Sequence, residues 1–543
     1  MTQSYSDHVV QADSSSLINQ KWSRRSFLTS SMMLLSYTLL PSSLKKAAVP
    51  IIQDKTIEPS EIDFASAVEA GRAIRQRKVS SLELTDHILK RIDKYNPSLN
   101  AIVTLLQDEA LARARAADEA LAKGESWGAL HGVPITVKDA FEIAGVRTTA
   151  GAPFLAKYVP KRDAVAVSRL RSAGAVILGH TNVPFMLGDW QSYNEIFGTT
   201  NNPWDLKRTP GGSTGGGAAS LAAGLSYLSI GSDIGGSIRV PAHFCGVYGH
   251  KPTLNLISAR GHIPPPPTAR PAPPMDLGVA GPLARNPADL KKALEILGGP
   301  DPEEAIAYRW SLPPARGTRL SEYRIGYVVD DPLCPLSSDV KKVILEAIEA
   351  LRKADAYLKE GWPPGVKPAD QYNTYRYLLA ATFASGLQDD QIEEMRKLAA
   401  KQYSSFEAIM ALAWTAPHKH FQAASYARMA ARTVWQEYFR THDVFLMPTA
   451  FVPAFPHDHS QPTWKRKLST PEGPREYNDM LFWISFATLT GLPATTAPIG
   501  LTRDGLPVGI QIIGPFLEDA TPIDVAGKMA EVTGGFKTPE GYQ

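Results

Sequence analysis

Three side chains with chemistry to offer stand at the ends of apolar runs: Lys138 in GVPITVKDA, Ser213 in PGGSTGGGAA and Ser237 in GSDIGGSIRVPA. Ser213 follows Lys138 by 75 residues, and Ser237 follows Ser213 by 24. Each serine sits among glycines, which lose more backbone freedom on folding than any other residue, so each cluster implies a turn or a close approach. A serine is a weak nucleophile until a base takes its proton. His243 and His250 lie nearest to Ser237 but carry no flanking signature. Lys138 is a better candidate: an apolar strand delivers it to the interior, where burial disfavours the ammonium and lowers its pKa by up to about 3–5 units. A lysine made neutral in this way serves as a general base, and Ser-Lys is an established alternative to Ser-His-Asp.

Other readings of the glycine loops are weaker. Gly211 to Gly215 matches G-x-S-x-G, but a nucleophile elbow follows an apolar strand, and the residues from Asn202 to Pro210 cannot form one. No Lys-Ser/Thr pair follows the glycines, as a phosphate-cradling loop requires. The second cluster is better placed. Leu225 to Ile230 reads as a strand and Gly231 to Ser237 as the turn after it, whose successive N–H groups can converge as an anion nest. Such donors stabilise an oxyanion, and losing one lowers the rate by ~10²–10³. Asp233 and Arg239 flank Ser237 and read as a turn-stabilising ion pair, with Thr214 hydrogen-bonding inside the loop of Ser213.

These groups need a scaffold. Glu61 to Asn96 reads as two helices, with a capping-box spacing at Ser80 to Glu83 and a stop enforced by Pro97. Ala101 to Leu106 reads as a strand, and Asp108 to Lys123 as a helix. Short apolar runs then alternate with helical segments up to Ile230, which predicts an α/β layer architecture around a buried sheet. Seven prolines between Pro264 and Pro274 make a rigid surface loop. Residues 338–440 read as a mainly helical insertion, and strands return at Val444 to Leu446 and Val508 to Ile513. One large catalytic domain over residues 61–543 is expected.

The three motifs, in this order and at these spacings, resemble the amidase signature family. GLPVGIQIIGP near the end extends the resemblance from Glu61 to the C-terminus. It implies an α/β fold with a mixed sheet of about eleven strands covered on both faces by helices. It also implies Ser237 as nucleophile, Ser213 as relay after a cis Gly212–Ser213 peptide, and Lys138 as base. The N–H groups of Ile234, Gly235, Gly236 and Ser237 would form the oxyanion hole, and an acyl-enzyme would form and then hydrolyse. No metal or cofactor is implied. Thr214 stands where the family often has a second serine, and it keeps the hydroxyl.

Composition narrows the partners. The first 46 residues hold five basic side chains (Lys21, Arg24, Arg25, Lys45, Lys46) against Asp7 and Asp13, a surplus equal to the whole formal net charge of +3. The nearly neutral remainder offers no basic footprint for nucleic acid. Arg24-Arg25 ahead of the uncharged, largely apolar Phe27 to Leu40 reads as a twin-arginine export signal over residues 1–46, joined by a linker at 47–60. That apolar stretch is shorter than the ~20 residues of a membrane span. The expected location is therefore the periplasm or the medium, with no membrane role beyond export. Cys245 and Cys334 are the only cysteines and read as buried free thiols.

The expected partner is a small-molecule amide, and a homodimer is compatible with the sequence. Phe185, Met186, Trp190, Tyr193 and Phe197 are candidates for an acyl pocket, as are Phe482, Trp483 and Phe486. Without a charged recognition pair among them, a hydrophobic or aryl amide is favoured, and ester or urethane cleavage stays open. The A component of glutaminyl-tRNA amidotransferases shares all three motifs, but the leader and neutral body argue against it. The intact Lys138, Ser213 and Ser237 argue against a binding-only protein.

Overall fold

In the computed structural model, the apolar runs become eleven strands of one mixed sheet. They are β1 (Ile102–Leu105), β2 (Pro134–Lys138), β3 (Val176–Thr181), β4 (Leu228–Asp233), β5 (Tyr248–Lys251), β6 (Val279–Ala284), β7 (Arg324–Tyr327), β8 (Tyr357–Glu360), β9 (Val444–Pro448), β10 (Ala494–Leu501) and β11 (Pro507–Ile513). The structure describes residues 57–543 except 266, 268–274, 385–388, 400–405 and 461–462. The expected export leader, most of the expected linker and most of the proline-rich loop therefore lie outside the described residues. The described chain forms one compact unit, and none of its described helices is long and apolar enough to cross a membrane.

The strand order is β1-β3-β2-β4-β6-β5-β10-β11-β9-β7-β8. At one end β3, β2 and β4 run parallel, with Ile135 opposite Ile177 and Val137 opposite Ile230. All three strands are buried along their whole length, as parallel strands covered by helices on both faces must be. The centre is antiparallel: β4 pairs with β6, β6 with β5, β5 with β10 and β10 with β11. The late strand β11 thus shares a sheet with the early β2, although the two are not neighbours.

Several sequence expectations shift. Ser80 caps the second helix as predicted, with its hydroxyl accepting from Glu83 N–H at 3.0 Å. Pro97, however, does not stop that helix, which runs over Ser81–Leu99. A proline in the last turn removes one backbone donor, and the chain turns only at Asn100, whose φ of 50° is left-handed. The strand expected at Leu225 to Ile230 instead spans Leu228–Asp233, because β4 pairs with β6 along its whole length, from Leu228 opposite Ala284 to Asp233 opposite Val279. Ser232 and Asp233 are therefore strand residues, not turn residues. The insertion at 338–440 is not purely helical: β8 lies within it and pairs parallel with β7 at the sheet edge.

Candidate active site

Lys138 is the last residue of β2, a position fixed by pairing with Thr181 of β3. Its amine is fully buried. Burial lowers its pKa from the ordinary value to about 7, against the opposing pull of the Asp233 carboxylate. The amine lies 2.7 Å from Ser213 Oγ. It also lies 3.0 Å from Ser232 Oγ and 3.4 Å from the Ser232 carbonyl.

Ser213 precedes the buried helix Gly215–Ala222, and the Gly212–Ser213 peptide is cis. Gly212 is required by contact: a Cβ there would meet the Asp189 carbonyl at 2.4 Å. The two serine loops are tied together, since Thr214 N–H donates to the Ser237 carbonyl at 3.1 Å. Ser237 is 7% exposed and stands between β4 and the helix Arg239–Cys245. At Gly236 a φ of 90° turns the chain in the left-handed region, where residues with a Cβ are strained.

Asp233 organises this turn. Its carboxylate accepts from the N–H groups of Gly236 and Ile238, each at 3.0 Å, and from Arg239 Nη2 at 2.8 Å. Burial alone would raise this carboxyl, but the Arg239 guanidinium and the hydrogen bonds hold it at about 2. Arg239 is itself held by the Ile484 carbonyl, Gln511 and Thr488. The pair stabilises the turn, the role its flanking position suggests.

The same bonds engage one of the four N–H groups expected of an oxyanion hole. The Gly236 N–H points to Asp233, which leaves Ile234, Gly235 and Ser237, whose N–H groups meet no acceptor among the described residues. Two side chains orient these peptides and are not legible in sequence. Tyr375 donates its hydroxyl to the Ile234 carbonyl at 2.8 Å, and Trp190 Nε1 donates to the Gly235 carbonyl at 2.7 Å. In a trans peptide the N–H points opposite to the C=O. Tyr375 therefore fixes the direction of the Gly235 N–H, and Trp190 fixes that of Gly236.

The candidate pocket residues divide. Trp190 is buried against Tyr477 and braces the loop before Ser237 through its bond to the Gly235 carbonyl. Met186 is half-buried against a small apolar cluster of Ala150, Ala152, Leu155 and Ile263. Tyr193 stacks on His459 and accepts from Arg466 Nη2 at 2.8 Å, which places it in a buried network with Asp189, the partner of Arg466 at 2.6 Å. That ion pair is a charged pair that no sequence pattern reveals, since its members lie 277 residues apart. Phe185 is exposed and lies edge-on to Phe154, and Phe197 lies under Arg147. Phe482, Trp483 and Phe486 are core residues of a fully buried helix.

His243 bonds to the Gly509 backbone and the Val452 carbonyl, and burial lowers its pKa to about 4. His250 is held by Thr495 and Asp519. Cys245 and Cys334 are buried and free. Among the described residues no cluster of His, Cys, Asp or Glu is arranged to hold a metal ion.

A buried amine against a serine, beside a loop of unpaired N–H groups, is the arrangement of a serine acyl-transfer enzyme. The sequence model of the amidase family matches residues 83–522, and the chain belongs to that family. It is 34% identical over 487 residues to the A component of the glutamyl-tRNA(Gln) amidotransferase from Prochlorococcus marinus (strain MIT 9313), covering 84% of this chain and 95% of that one. Among solved structures, the A component of the same kind of amidotransferase from Thermotoga maritima superposes with a TM-score of 0.68 at 25% identity, covering 88% of this chain and 98% of that one. A chain from a study of a vestigial complex and the origins of an s-triazine catabolic enzyme superposes with a TM-score of 0.72 at 26% identity, covering 87% and 99%. The fold is the amidase signature fold.

Proposed function

We propose that this enzyme hydrolyses a carboxylic amide through an acyl-enzyme, with Ser237 as nucleophile, Ser213 as proton relay and Lys138 as base. The observation that carries the reading is the 2.7 Å contact between the buried Lys138 amine and Ser213, in a loop bonded directly to Ser237. Ser213 gives its proton to Lys138 Nζ and takes the proton of Ser237, whose oxygen bonds to the substrate carbonyl carbon. The N–H groups of Ile234, Gly235 and Ser237 receive the oxyanion. The proton on Lys138 returns through Ser213 to the leaving amine, and water then releases the acid by the same path.

A hydrophobic or aryl acyl group is the proposed substrate. Support comes from the apolar cluster beside Met186 and from Arg466, whose charge is already met by Asp189. The similarity to the A components of amidotransferases favours a second reading, an ammonia-releasing protein that takes glutamine. The twin-arginine leader supports export, which fractionation of cells carrying the full chain would test.

The test is product release from a short aliphatic amide, an aryl amide, a long-chain fatty amide, an aryl urethane and glutamine, with Ser237→Ala beside wild type. Turnover of an aryl or fatty amide by wild type alone supports the first reading. Turnover of glutamine alone supports the second, and turnover by Ser237→Ala overturns both.

A further inference from the structure

Lys138 touches a second serine, and that serine touches a histidine. Ser232 Oγ lies 3.0 Å from Lys138 Nζ and 2.9 Å from His262 Nε2. The other ring nitrogen, His262 Nδ1, lies 3.1 Å from the Pro264 carbonyl. His262 is 4% exposed, with the Phe141 ring edge-on at 4.9 Å. Its segment pairs with the chain just beyond Lys138: Glu142 N–H donates to the Gly261 carbonyl at 2.9 Å, and Ile263 N–H to the Ala140 carbonyl at 2.7 Å. The imidazole is thus held in place by the same stretch that carries the base.

Counting protons gives each of these bonds a direction. The Pro264 carbonyl only accepts, so Nδ1 carries the proton, and in a neutral imidazole Nε2 then presents a lone pair. Ser232 gives its hydroxyl proton to Nε2 and turns its own lone pairs toward Lys138. The Ser232 carbonyl, 3.4 Å from Nζ, also only accepts. A neutral amine has two N–H bonds and one lone pair. Ser232 takes both N–H bonds, one on its hydroxyl and one on its carbonyl, and the lone pair is left facing Ser213.

We propose that His262 is a positioning residue for the base: by holding Ser232 as an acceptor, it keeps the lone pair of Lys138 aimed at the Ser213 hydroxyl. The inference rests on Lys138 acting as the base. No proton travels along Ser232 or His262; in turnover the only transfers are those between Lys138, Ser213, Ser237, the leaving amine and the water that hydrolyses the acyl-enzyme. Without His262, the Ser232 hydroxyl turns to donate to the Lys138 lone pair and competes with Ser213 for it.

The test uses covalent capture by a fluorophosphonate probe, which needs no knowledge of the substrate. Ser237 Oγ bonds to phosphorus, fluoride leaves, and intact-mass spectrometry reads the rate. Wild type is captured once, and Ser237→Ala and Lys138→Met are not. His262→Leu is captured about tenfold more slowly, while His262→Gln, whose side-chain carbonyl accepts from Ser232, stays within about threefold, the scale of one hydrogen bond. Capture of His262→Leu at the wild-type rate, or equal slowing of the Leu and Gln variants, overturns the role of His262. Capture of Ser237→Ala overturns the Ser-Lys site itself. A second measurement holds even if the leucine variant does not fold: ¹⁵N NMR of histidine-labelled wild type shows His262 protonated on Nδ1 and bare on Nε2, and a proton on Nε2 overturns the inference.

Discussion

Among the described residues two lysines are fully buried, and they share an electrostatic neighbourhood. Lys138 and Lys251 each end a strand, β2 and β5. Burial brings both down to about pKa 7, and both feel the Asp233 carboxylate. Lys251 is also pushed down by Arg239 and pulled up by Asp519. By burial and proton affinity alone the two are interchangeable. Their hydrogen bonds separate them. Lys138 meets two serine hydroxyls, whereas the Lys251 amine donates to the carbonyl of its own neighbour, Pro252, at 2.9 Å. A carbonyl has no proton to give, so the Lys251 amine has nothing to deprotonate. A lowered pKa permits a base; a hydroxyl at hydrogen-bond distance makes one.

The same substitution at both sites gives the sharpest test of this difference. Lys138→Met removes the proposed base while keeping the apolar stem, and turnover should fall by about 10⁴-fold or more, the scale of losing one member of a catalytic triad. Lys251→Met should leave turnover within about tenfold of wild type, and its melting temperature unchanged or higher, because it removes a buried amine with a single weak partner. Comparable losses in the two variants would erase the distinction between the lysines.

The pH profile sharpens it further. Lys138 accepts a proton only as the neutral amine, so kcat/KM should fall about tenfold per pH unit below its pKa of about 7 and level off above it. Lys251 titrates in the same range, so wild type alone cannot say which lysine sets the acid limb. Lys251→Met should keep the limb where it is. A limb that moves in that variant assigns it to the other lysine.

How much of this is legible without the structure follows from the same physics. Lys138, Ser213 and Ser237 stand out because glycine clusters and a strand-terminal lysine are local signals, read within ten residues. The eleven-stranded sheet follows from resemblance, and its central strands also announce themselves as apolar runs. β8 does not: Tyr357–Glu360 is a mostly exposed edge strand ending in Lys359 and Glu360, and charge on an edge, which prevents sheet-to-sheet association, also hides the strand from a hydrophobic pattern. His262 and Tyr375 lie outside the three motifs, and only the fold brings them to the site. Ser232 is in view within GSDIGGS, but reading that segment as a turn rather than a strand conceals that its side chain meets Lys138.

Asp233 tests the loop that both lysines surround. Asp233→Asn keeps the shape but removes the charge facing Arg239, leaving a buried guanidinium uncompensated. Breaking a buried pair from one side destabilises by about 3–5 kcal/mol, read as a lower urea midpoint. Activity should drop with it, because Asp233 accepts the Gly236 N–H on Oδ1 and the Ile238 N–H on Oδ2, and asparagine keeps only one of these two acceptors. A variant of wild-type stability would show that the turn is held by the glycines alone.

The smallest expected effect lies in the two donors that orient the proposed oxyanion loop. Tyr375→Phe keeps the ring and Trp190→Phe keeps an aromatic ring in place of the indole, and each removes one hydrogen bond, to the Ile234 and Gly235 carbonyls respectively. One such bond is worth about 1 kcal/mol net, so each variant should lose about fivefold in kcat if the bond matters fully in the transition state. The two are not equivalent. Tyr375 fixes the peptide whose N–H belongs to Gly235, a free donor, whereas Trp190 fixes the peptide whose N–H already binds Asp233. Tyr375→Phe should therefore lower kcat at constant KM, while Trp190→Phe should act mainly on stability. The reverse ranking would mean that the Gly236 N–H leaves Asp233 during turnover and joins the oxyanion hole, restoring the four-donor hole expected from resemblance.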